Sequence, residues 1–139
     1  MMLRNGNKIF CIAADDNHNG HPVDSVYSDS LGGWVMIKAD ALTHSAVIGA
    51  LERGEFYAST GPEIYDLFIE DGVVHIYTSP AARIKIFTGN RYTRCQISKE
   101  GDLTHASFSL PKVCGYFRLE VQDRFGKTAY TNPCFEDEQ

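Results

Sequence analysis

The densest run of potentially reactive side chains is Asp15-Asp16-Asn17-His18-Asn19. Asp16 and His18 stand two residues apart, and a turn there brings both side chains round to one ion. Carboxylate and neutral imidazole are donors that suit Zn, Mn or Fe. Two donors are only part of a site, because a catalytic zinc-type centre takes about three from the protein. The nearest further donor is His21, in a loop before Pro22. The competing reading is a plain turn, since Asp and Asn side chains readily bond their own backbone. Asp15, Asn17, Asn19 and Gly20 also fit the opening of a calcium loop. The position that should carry its bidentate Glu is Val26, and an apolar run precedes it instead of a helix, so the EF-hand reading is rejected.

Other candidates are weaker, and none is assigned a catalytic role. Ser59-Thr60-Gly61-Pro62 offers a hydroxyl with no base beside it in sequence and reads as a Gly-Pro turn. His44 falls in the first turn of a helix, and His75 and His105 fall on polar strand faces. The four cysteines, Cys11, Cys95, Cys114 and Cys134, are widely spaced without a C-x-x-C pair. They read as free thiols and not as a zinc cage. Neither G-x-S-x-G, nor a phosphate-binding P-loop, nor a dinucleotide fingerprint occurs.

The elements that would position Asp16 and His18 come from the flanking pattern. Ile9–Ala14 is a continuous apolar run ending in the polar cluster. That suits a strand buried on both faces, with ligands at its C-terminal end, as in α/β folds. Residues 19–33 read as a loop, and Gly33–Ala39 as a second strand. A helix is predicted over Thr43–Arg53, capped by Thr43 and ended by Gly54, with Val47, Ile48 and Leu51 on one face. A close packing neighbour is expected at Gly49.

From Glu55 onward the pattern becomes strand and turn. Asp71-Gly72 is a type I′ hairpin signal. Facing Glu70 with Val73 pairs Ile69 with Val74 and Leu67 with Ile76, all on one face, and leaves Phe68, His75, Asp66 and Tyr77 on the other. Further strands are predicted at Arg83–Thr88, Tyr92–Ser98, around Ala106–Leu110, Tyr116–Gln122 and Lys127–Thr131. Such spacing suggests a sandwich or barrel. The fold class expected is therefore β-rich α+β, with a break near Gly61-Pro62.

The chain has 139 residues and a net charge of −5, enough for one core and without the basic patch that nucleic acid or an anionic membrane demands. Part of the negative excess lies in Glu136-Asp137-Glu138-Gln139, read as a solvated tail. The longest apolar runs fall far short of the ~20 residues that span a bilayer. The N-terminus lacks the pattern of a secretory signal, so a cytoplasmic protein with no nucleic-acid and no membrane partner is expected.

Two blocks then carry a family resemblance. Ile12-Ala13-Ala14-Asp15-Asp16-Asn17-His18-Asn19 resembles the last metal motif, D-x-H, of the polymerase-and-histidinol-phosphatase (PHP) family. Gly33-Trp34-Val35, Leu42-Thr43 and Ala50-Leu51-Glu52-Arg53-Gly54-Glu55-Phe56-Tyr57-Ala58-Ser59-Thr60-Gly61-Pro62 are similar to the C-terminal block of its predicted metal-dependent phosphoesterases. The resemblance covers Ile9 to about Pro133. It implies a distorted β/α barrel holding up to three metal ions, whose bound hydroxide attacks a phosphate ester, and it maps Asp16 and His18 onto two of the ligands. Family members open with H-x-H, whereas the first histidine here is His18.

The expectation is accordingly a C-terminal piece: residues 1–63 as the end of a PHP-type barrel (strand, strand, one helix) and residues 64–139 as an antiparallel β-sandwich. It is a metal-dependent phosphoesterase by ancestry and inactive alone. Its divalent metal, Zn, Mn or Fe, belongs to the complete family site, and its phosphate-ester substrate is implied by the family alone. A homodimer, or association with an N-terminal part, would cover the open barrel strands. The alternative is a free-standing β-sandwich binding module with a vestigial D-x-H.

Overall fold

The computed structural model describes residues 2–136. Asp137, Glu138 and Gln139, most of the acidic tail, lie outside the described residues. Backbone torsion explains the clearest local structure. Asp71 and Gly72 both take positive φ, 50° and 76°, which is the left-handed pair a type I′ turn requires. The turn joins β3 (Ile64–Glu70) to β4 (Val73–Ala81) in the register Glu70↔Val73, Ile69↔Val74, Leu67↔Ile76. This is the pairing that the apolar pattern demands. Val74 and Ile76 are fully buried.

The other strands are β1 (Trp34–Ile37), β2 (Phe56–Ser59), β5 (Arg83–Thr88), β6 (Thr93–Ile97), β7 (Leu103–Ser109), β8 (Tyr116–Gln122), β9 (Thr128–Thr131) and the short β10 (Cys134–Phe135). One sheet runs β1-β2-β9-β8-β5-β6, with β10 also paired to β8, and the other runs β3-β4-β7. Every pairing is antiparallel. The sheets meet over a core drawn from both, with Val74, Ile76 and Phe108 from one and Ile84, Phe117 and Leu119 from the other. Alternation decides which residues enter it. In β8 Phe117, Leu119 and Val121 are buried while Arg118, Glu120 and Gln122 are half-buried on the opposite face. There Arg118 pairs with Glu120 at 2.7 Å and lies 4.4 Å from the Phe87 ring.

The single α-helix among the described residues, α1, spans His44–Arg53 beside β1. Thr43 caps it by accepting a hydrogen bond from the Ala46 N–H at 3.3 Å, and Gly54 ends it at φ 75°. Ala50 is its buried residue. Of the expected apolar face, Val47 and Leu51 are half-buried and Ile48 is exposed. The neighbour expected at Gly49 is a side-chain tip: an added Cβ would lie 3.0 Å from Arg53 Nη1.

Two expectations are corrected. Ile9–Ala14 forms no strand; of the two strands placed ahead of the helix, only Trp34–Ile37 is one. The run follows the body of the protein without a ladder partner among the described residues, and Ile9 and Ile12 are exposed. An apolar run becomes a strand only when a neighbouring backbone takes up its hydrogen bonds. Glu136, expected in the solvated tail, is tied down. Its carboxylate accepts from the Cys114 N–H, and its own N–H donates to the Gly115 carbonyl at 3.2 Å. Strands β1 and β2 lie N-terminal to residue 63 yet join the large sheet, where Tyr57 pairs with Thr131 and Ser59 with Ala129. Among the described residues no helix is long and apolar enough to cross a membrane.

Candidate functional site

The segment carrying Asp16 and His18 is tied to the sheet at its root. The Cys11 N–H donates to Asn132 Oδ1 at 2.9 Å, and Asn132 Nδ2 donates to the carbonyls of Gly54 (3.1 Å) and Phe56 (3.0 Å). Asn132 is buried, and all these groups would be orphaned without it. Phe10 packs edge-on against Phe56, with centroids 6.0 Å apart. Gly33 lets the chain pass closely: a Cβ there would meet the Ala14 carbonyl oxygen at 3.2 Å.

Beyond Ala14 the polar cluster is braced against residues 29–31. The Asp15 carboxylate accepts from the Leu31 N–H, Asn17 Nδ2 donates to Ser30 Oγ, and the His18 N–H donates to Asp29 Oδ2 at 2.8 Å. The Asn19 N–H closes back on Asn17 Oδ1. Asp16 (φ 54°) and Asn19 (φ 53°) take the left-handed conformation that Asp and Asn tolerate best. Asp15, Asn17 and Asn19 thus behave as turn formers, while Asp16 and His18 stand exposed in the same loop. Asp29 adds a carboxylate that the sequence reading passed over. Its Oδ2 is engaged, and its Oδ1 is buried without a hydrogen-bond partner.

Asp16 and His18 are joined by no further donor of the sequence reading. His21 is exposed with its ring 5.8 Å from Tyr27. His44 is exposed at the start of α1. His75 and His105 sit on the outer face of the small sheet, stacked with Phe68 and Tyr77. No group of three or more His, Cys, Asp or Glu side chains is placed to hold one metal ion among the described residues.

The remaining candidates are structural. Ser59 is buried; its hydroxyl donates to the Pro62 carbonyl at 2.7 Å and accepts from the Gly61 N–H at 3.0 Å. It pins the Gly-Pro turn. Arg53 and Glu55 form a two-armed ion pair at 3.0 and 2.8 Å, which raises the guanidinium and lowers the carboxyl from their ordinary values. All four cysteines are free thiols. Burial, then the Glu136 carboxylate, pushes the Cys114 thiol up to about 11.

Comparison with family models, with curated proteins and with solved structures finds no match for this chain.

Proposed function

We propose that the chain is the C-terminal part of a PHP-like, metal-dependent phosphoesterase, and that Asp16 and His18 are its contribution to the metal centre. The observation that carries this reading is the set of exposed apolar side chains along residues 12–42, the stretch that holds the loop. Ile12, Val23, Val26, Leu31 and Leu42 are 69%, 65%, 92%, 73% and 99% exposed. A globular protein leaves so many large apolar side chains bare in one stretch where something else covers them. The residue order of the two blocks agrees with the end of such a barrel, and Asn132 ties the root of the D-x-H segment, at Cys11, to the carbonyls at the start of β2. The cover is an N-terminal part of the same enzyme, or a second copy of the chain.

Two donors do not fix a catalytic ion, so this chain alone is expected to be inactive on phosphate esters. Calorimetric titration with Zn²⁺ or Mn²⁺ is the test. Binding weaker than ~1 µM, lost in Asp16→Ala/His18→Ala with little change in fold stability, agrees with the proposal. Tight one-to-one binding by a confirmed monomer, abolished by that double variant, would show that the chain completes a site unaided. Turnover of an aryl phosphate, appearing only when an upstream H-x-H segment is co-expressed, tests the ancestry directly.

A further inference from the structure

The two sheets are unequal, and the mismatch leaves a strand-shaped space. The small sheet has three strands facing six in the path of the large one, and β3 is its edge, paired only with β4 among the described residues. Glu70↔Val73 closes the two-residue turn, so Ile69 and Leu67 fall at alternate positions whose backbone N–H and C=O turn away from β4. The Leu67 N–H is taken locally, at 2.9 Å, by the carboxylate of Asp66. Alongside runs an open groove of about 940 Å³, lined by every residue from Ile64 to Ile69. Phe56, Tyr57, Phe117 and Phe135 line it too, and Met36 of β1 borders it, 43% exposed.

We propose that β3 and this groove bind an extended peptide segment of a partner protein, one in which apolar side chains alternate with Lys or Arg, as a fourth strand of the small sheet. The outward N–H of Ile69 and the outward carbonyls of Leu67 and Ile69 offer the main-chain hydrogen bonds, and the apolar lining takes every second side chain. The seven residues of β3 offer roughly 23 Å of edge. Charge selects the occupant. Asp66, Phe68 and Glu70 share the outer face of β3, so the outward side chains of the new strand stand beside two carboxylates. Opposite charges across a strand pair attract and like charges repel. A second copy adding antiparallel through its own β3, centred on Phe68, would bring Asp66 against the other copy's Glu70, like charge on like. This inference stands apart from the reading of Asp16 and His18.

The test uses a blocked heptapeptide alternating Lys and Val, and its Glu/Val counterpart, titrated into the intact chain by amide NMR with hydrogen exchange. Saturable shifts along β3 and the groove, slowed exchange at Ile69, and at least tenfold weaker binding of the Glu/Val peptide are expected. Asp66→Lys/Glu70→Lys, whose side chains are exposed, should reverse that preference with the rest of the spectrum preserved. The native chain alone decides the matter if the variant does not fold. No saturation up to ~1 mM, shifts without amide protection, equal binding of both peptides, or a dimer joined through β3 would each overturn the proposal.

Discussion

Asn132 is the side chain on which most local order depends. It ties the backbone of the N-terminal segment at Cys11 to the sheet, and it also serves the carbonyls of Gly54 and Phe56. Asn132→Ala leaves those three groups without their partner. A loss of about 1–3 kcal/mol in urea unfolding is expected, with faster exchange at the Cys11 amide. Cys114 carries a pH dependence of definite sign. Its folded value of about 11 lies above that of a free thiol near ~8.5. The contribution to stability is full below the unfolded value and is lost as pH rises through the folded one. Unfolding midpoints that fall between about pH 9 and 11, and fall less in Cys114→Ala, would show it. Neither role was legible beforehand: Asn132 lies past the last strand expected and drew no reading of its own, and Glu136 reads as part of an acidic tail.

At the scale of elements, the hairpin and the helix are the parts whose ends are chemically specified. Gly72 sits at φ 76° with nothing within 4 Å of an added Cβ, so Gly72→Ala isolates backbone strain and should cost on the order of 1 kcal/mol. Thr43→Ala removes the bond to the Ala46 N–H and should cost about 1 kcal/mol. Gly49→Ala meets only the movable end of Arg53 and should stabilise by about 0.5–1 kcal/mol. Thermal unfolding of the three variants checks all three signs.

Over the whole molecule, order is graded from the sandwich core to the N-terminal third. Ile76, Ile84, Ile86 and Leu119 are completely buried, and their amides should exchange only on global unfolding. Among residues 9–20 the backbone N–H groups of Cys11, His18 and Asn19 have side-chain partners; the rest of that stretch, which lies in no helix or strand, should exchange within seconds to minutes. The exposed apolar side chains of the same third are the proposed seat of association. Light scattering at ~100 µM should give a mass above the monomer, with the dissociation constant below that concentration, and Leu42→Lys with Ile12→Lys should return it to the monomer.

How much was legible follows from the range of the interactions. The hairpin register, the helix ends and the inward residues of β8 depend on residues within one turn or one strand, where spacing alone selects the face. The sequence by itself thus determined a β-rich chain with one capped helix, and it singled out Asp16 and His18 as a pair. What only the tertiary structure decided concerns partners far apart in the chain. Ile9–Ala14 has the composition of a buried strand, but a strand needs a neighbour's backbone, and none is there among the described residues. Strands β1 and β2 enter the large sheet because β9, some seventy residues on, offers the edge that Tyr57–Ser59 pairs with. The open groove beside β3 likewise exists because three strands face a wider sheet, a disparity that no local pattern encodes.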